Sequence, residues 1–313
     1  KDKNKFIALS NSYHGETLGS LSISNIDLYK KTYNKMLKNT IIVPSPDSFN
    51  KKCGVSDKEH SKQMFTFMQK EIEKNHKKIC AVVIDPLVQC AGYMRMYHPI
   101  YLKLLREVCD RYNIHLIADE IAVGFGRTGS MFGYEQAKIT PDIICLSKGI
   151  TGGYMALSTI LTDDNIYDAF YDEYTKLNAF LHSHSYSGNA IACAAANATL
   201  DLFDRSDVLG KNRRLSNYIY KNFSSFKNHP NVGDLRQTGM ITAIELVKNK
   251  KTKESYDWKE RRGIRAYKYG LDNNVILRPL GNVIYFMPPY VINKKEIDHV
   301  SSVIEGAIEI ATK

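Results

Sequence analysis

The chain has 313 residues, of which 43% are hydrophobic and 24% charged, enough for a sizeable core in one large domain or two modest ones. No apolar run approaches the roughly 20 residues that cross a bilayer, and the start, Lys1-Asp2-Lys3-Asn4-Lys5, does not read as a secretory signal. The formal charge of +10 raises nucleic-acid binding, but lysines and acids are interspersed and no nucleic-acid motif is present. Neither nucleic acid nor membrane is expected as a partner.

Six cysteines (Cys53, Cys80, Cys90, Cys109, Cys145, Cys193) form no CxxC pair and no zinc spacing. No metal site is therefore expected. The cysteine usage fits a reducing cytoplasm without a disulfide framework.

In chain order, Ile79–Ile84 is apolar on both faces, as a central parallel strand should be. Tyr101, Leu104, Leu105, Val108, Cys109 and Tyr112 then recur at helical spacing. A strand over Ile114–Ala118 follows, which completes a right-handed βαβ unit with Asp119 at its carboxyl end. Ile143–Ser147 reads as another strand, ending at Lys148. The small residues of Ala190–Phe203 predict a closely packed helix. Beyond Asp204 come a helical stretch to Phe226, a strand over Ile241–Val247 and a helix around Lys259–Leu271. A hairpin-like pair, Val275–Arg278 and Val283–Met287, turns at Leu280-Gly281-Asn282. Asn293 and Glu296 have capping-box spacing before a final helix with Ile297, Val300, Ile304 and Ile308 on one face. The pattern is α/β: a mostly parallel central sheet flanked by helices over residues 1–204, then a smaller α+β domain over 205–313.

Ligands of open α/β sheets bind outside the carboxyl ends of strands, where both Asp119 and Lys148 fall. There a desolvated lysine would be a neutral nucleophile. Lysine with a carboxylate is the pairing that pyridoxal 5'-phosphate requires, one to hold its aldehyde and one to hold its ring nitrogen. On these two residues alone, a pair of charges at a solvated sheet edge remains the alternative.

The flanking segments narrow the reading. Pro86-Leu87-Val88-Gln89, Met94-Arg95-Met96-Tyr97-His98-Pro99, the run from Ala118 to Gly129, the run from Gly188 to Asn197, and Leu277 to Tyr290 resemble the class III aminotransferases. The likeness runs from Tyr13 almost to the end. It implies the fold type I of pyridoxal-phosphate-dependent transferases, a cytoplasmic homodimer with shared active sites, and Lys148 and Asp119 as catalytic, cofactor-binding residues. It is narrowest toward the branch that aminates 8-amino-7-oxononanoate to 7,8-diaminononanoate in biotin synthesis, with S-adenosylmethionine as amino donor.

By the same resemblance, Tyr13 of Tyr13-His14-Gly15 stacks near the cofactor and contacts substrate. The loop His182-Ser183-His184-Ser185 reaches across the dimer, with His184 and Ser185 at the cofactor phosphate and Ser183 at the substrate. Arg278 grips a substrate carboxylate as a planar fork, and Tyr285 borders the amino-donor pocket. Arg127 braces the glycine-rich loop. The Ser183-His184-Ser185 sequence departs from the Gly-Pro-Thr of the branch and resembles members that take lysine as donor. Asp85 stands where the family has glutamate, and Cys90 and Tyr93 where it has glycine. Family members also carry a segment ahead of the Tyr-His-Gly loop, so the chain is expected to be truncated. That leaves a non-catalytic dimerising or binding module as the reading of another class.

Overall fold

The computed structural model describes residues 3–313. A six-stranded sheet forms the first layer, in the order Ile41–Val43, Lys5–Leu9, Ile79–Ile84, His115–Asp119, Ile143–Leu146 and Thr159–Thr162. The first five strands are parallel and the last is antiparallel. Ile79–Ile84 is almost wholly buried because it lies mid-sheet, where both faces must be covered. Helices Asp57–Asn75 and Ile100–Tyr112 cover one of those faces, with Phe65, Met68, Ile72, Tyr101, Leu102 and Leu105 packed against Ile7, Leu9, Val82 and Ile84. Asn113 ends the second helix in the left-handed region (φ 51°), and the chain turns at once into the His115–Asp119 strand.

The second sheet is antiparallel, in the order Pro279–Leu280, Val283–Phe286, Ile241–Leu246 and Val232–Thr238. Side chains alternate across it with the period of two. Ile244, Leu246 and Ile284 face helices Val208–Phe223, Arg262–Asp272 and Lys294–Thr312, while Ile241, Ala243 and Val283 join the core of the first sheet. The final helix carries the capping box at Asn293 and Glu296 that its spacing predicts.

The expected strand over Val275–Arg278 does not form. The Val275 N–H is taken by the Gly270 carbonyl at 2.8 Å, which closes the preceding helix, so pairing begins only at Pro279.

Two polar junctions tie the sheets together. Glu245, 3% exposed, accepts from Arg95 and Arg236 at 2.9 Å each, and Arg236 also donates to the Met94 and Tyr93 carbonyls. At the other junction Arg127 donates to the Pro288 carbonyl at 2.6 Å and lies over the Tyr290 ring. Gly239 (φ 55°) permits this approach, since a Cβ there would meet the Arg127 carbonyl oxygen at 2.6 Å.

Candidate active site

Four neighbouring parallel strands each deliver one chemical group at their carboxyl ends. Lys5–Leu9 leads through a short loop to His14, Ile79–Ile84 to Asp85, His115–Asp119 ends on Asp119, and Ile143–Leu146 leads to Lys148. Ala118 pairs with Ile84 and Ile144, and Asp119 with Cys145, which fixes these groups at one end of the sheet.

Asp119 is buried. Its Oδ2 lies 2.8 Å from His14 Nδ1, and its Oδ1 accepts the Ile121 N–H at 3.1 Å. On the other side of the imidazole, Nε2 lies 3.8 Å from Asp85 Oδ2, and neither atom has a hydrogen-bond partner. Burial opposes charge on His14, but Asp85 and then Asp119 outweigh it, so its pKa is raised. Burial holds Asp85 well above the usual carboxylate range, and the charges of His14 and Lys148 oppose that rise.

Lys148 follows the next strand with φ 44°, a left-handed conformation that a non-glycine residue adopts at a cost. Its side chain is exposed. The desolvation expected of a strand-end lysine is absent because the chain beyond it stays open: Tyr154, Tyr174 and Leu181 are about nine-tenths exposed (88%, 91% and 88%). Two hydroxyls close to it in sequence are committed, Ser147 to the Leu157 carbonyl and Thr151 to the Met155 carbonyl.

Tyr13 is half-buried. Its hydroxyl donates to Glu16 at 2.8 Å and its ring meets Tyr29, and burial followed by Glu16 pushes its pKa up to about 12. The resemblance singled out this tyrosine, yet its neighbour His14 is the residue that touches Asp119. The signal for His14 was a histidine following a strand that lies two places from the aspartate strand, which only the sheet order reveals. Glu120 turns away from the site, accepting the Gly133 and Tyr134 N–H groups at 2.9 Å each, and burial pushes it up to about 7. Tyr285 pairs with Ala243 and packs where the sheets meet. Arg278 is exposed beside the Pro279–Leu280 strand, and Ser183, His184 and Ser185 lie on an exposed loop. Among the described residues, no hydrogen bond or ion pair joins these four to Lys148 or Asp119. Tyr93 adopts φ 65°, where glycine would be unstrained, and its ring approaches Gly281. The group His14, Asp85 and Asp119 has three ligand atoms within 4.8 Å, although His14 Nδ1 is already engaged by Asp119.

The amine and the buried carboxylate, at the ends of adjacent strands, are a donor set that suits an aldehyde cofactor with a basic ring nitrogen. The whole-chain comparison agrees, since the model for aminotransferase class-III matches residues 1–308. The chain belongs to the class III aminotransferases. Among relatives of this class III aminotransferase, the adenosylmethionine-8-amino-7-oxononanoate aminotransferase of Helicobacter pylori is 45% identical over 312 residues, 98% of this chain and 67% of that protein. The crystal structure of the Methanocaldococcus jannaschii enzyme of that name superposes with a TM-score of 0.91 at 32% identity, over 99% of this chain and 68% of the other. An omega transaminase from Pseudomonas jessenii, solved in complex with PMP, gives 0.93 at 27% identity, over 99% and 69%. The chain thus spans about two thirds of the length of these proteins. Among the described residues, no helix is long and apolar enough to cross a membrane.

Proposed function

We propose that the protein transfers an amino group to 8-amino-7-oxononanoate, giving 7,8-diaminononanoate, with S-adenosylmethionine as donor and pyridoxal 5'-phosphate as cofactor. The observation that carries this reading is the strand-end set of Lys148 beside a buried Asp119 backed by His14. The names of the relatives and the Leu277-to-Tyr290 segment support the choice of substrates.

When bound, the cofactor supplies an electron-withdrawing ring that stabilises negative charge at the substrate carbon. Lys148 would hold it through Nζ. Once free, Nζ moves a proton to and from that carbon, and its tether keeps it within reach throughout. Asp119 would hold the ring nitrogen's proton, and His14 keeps the Asp119 carboxylate oriented toward it. Arg278 suits the carboxylate of the oxononanoate because its fork of N–H donors matches two oxygens. Tyr13 and Tyr285 supply apolar walls with hydroxyls at their rims.

We assign the phosphate to His184 and Ser185 of a second copy, with Ser183 toward substrate. Two observations support this: residues 181–188 are all exposed, and the hydroxyls of Ser147 and Thr151, close to Lys148 in sequence, are already committed. Exposed Tyr171, Leu177, Phe180 and Ile191 flank that segment with an apolar surface that a homodimer would cover.

Ser183-His184-Ser185 favours lysine as the competing donor. The purified protein, given cofactor and 8-amino-7-oxononanoate, is expected to form 7,8-diaminononanoate with S-adenosylmethionine, as followed by mass spectrometry. Product only with lysine would transfer the donor assignment. No product with either, from protein that retains pyridoxal phosphate, would contradict the reading and favour a non-catalytic module.

A further inference from the structure

We propose that Asp85 is a positioning residue that sets the protonation state of His14 through Nε2, and so decides whether Asp119 faces an imidazolium or a neutral imidazole. The proposal deepens the reading of Asp119 as partner of the ring nitrogen and rests on it.

The geometry comes from three strands. His14 is held by its backbone, its N–H donating to Ser24 Oγ at 2.9 Å, and by Asp119 at Nδ1. With Nδ1 committed, the only adjustable atom of the ring is Nε2. That atom points at Asp85 Oδ2 across 3.8 Å, and both are buried without another partner. Two unsatisfied polar atoms facing each other in a site closed to water form an unstable arrangement. A proton on Nε2 and a shift of about one ångström would satisfy both, giving a charged hydrogen bond of ordinary length. The imidazolium would then sit between two carboxylates. Without that proton, Asp119 would bear its negative charge against a neutral ring.

The other groups facing this cluster do not compete for the role. The Cys90 thiol is pushed up to about 12 by burial, with Asp85 adding to the rise, and it stays neutral. Burial also raises the Tyr97 phenol well above its ordinary value, and its hydroxyl is spent on the Asp85 carbonyl at 2.6 Å. Arg127 faces Cys90 and is bonded to Pro288. Lys148 adds a positive charge near Asp85, while the charges acting on His14 are those of Asp85 and Asp119. His14, Asp85 and Asp119 therefore share the available protons among themselves.

The test uses the cofactor-free protein with labelled histidine, so its outcome is independent of turnover. The His14 signals are assigned by their loss in His14→Gln. In Asp85→Asn the His14 titration midpoint should fall by about one pH unit or more, a tenfold loss of proton affinity. Asp85→Glu, one methylene longer, should restore it to within a few tenths of a unit. With cofactor and substrates, Asp85→Asn should lower kcat with little change in KM, and Asp85→Glu should recover it. A midpoint unmoved in Asp85→Asn overturns the proposal. If that variant does not fold, a fall of the midpoint in Asp85→Glu overturns it instead. Zinc alone should leave the His14 signals in place, and tight zinc binding that displaces them would make the cluster a metal site and also overturn it.

Discussion

Lys148→Ala is expected to lower transamination turnover by about 10⁴-fold or more, the combined scale of a lost nucleophile and a lost proton-transfer group. The side chain is exposed and lies outside the packed clusters, so the substitution should leave stability within about 0.5 kcal/mol of the parent. That separation makes the kinetic result readable. A small primary amine added to the variant should recover part of the rate, since it restores proton transfer but not the tether. Lys148→Arg should fail as completely, because its guanidinium keeps its charge and is a poor nucleophile. Turnover within tenfold of the parent in Lys148→Ala would contradict the assignment.

The second large effect concerns stability. Glu245→Ala is expected to destabilise the fold by about 3–5 kcal/mol, because it strands two half-neutralised guanidinium groups in a buried junction. Arg95 would retain Asp47, 3.5 Å from its Nε, and the faces of Phe49 and Tyr93, and Arg236 would retain Asp234 at 3.1 Å. Arg236 also pins the Tyr93 and Met94 carbonyls, and both residues have positive φ, so the loop should loosen with the junction. Urea unfolding checks this, with Glu245→Gln predicted to fall between the parent and the alanine variant. A loss below about 1 kcal/mol for Glu245→Ala would show that the junction does not hold the sheets together.

The chemistry was legible where it is local. Asp119 and Lys148 stand at the ends of apolar runs, and a charge that closes such a run marks a strand terminus regardless of the rest of the fold. The final helix was equally legible, since Asn293 and Glu296 cap it without outside help. What depends on several strands was not. His14 acquires its role only when the sheet order sets its loop against Asp119, 105 positions away. Glu245 meets Arg95 across 150 positions, a distance that no periodicity records. Val275–Arg278 has the composition of a strand, yet the preceding helix takes the Val275 N–H first. The burial expected of Lys148 is not met, because the chain beyond it stays exposed at Tyr154, Tyr174 and Leu181. In the proposed homodimer, a second copy would cover that segment.

The most direct test of the central claim is the location of the cofactor. The protein incubated with pyridoxal 5'-phosphate, reduced with borohydride and digested should carry one pyridoxyl group, on the peptide containing Lys148. A pyridoxyl group on any other lysine, or none on Lys148 while transamination proceeds, would contradict the account.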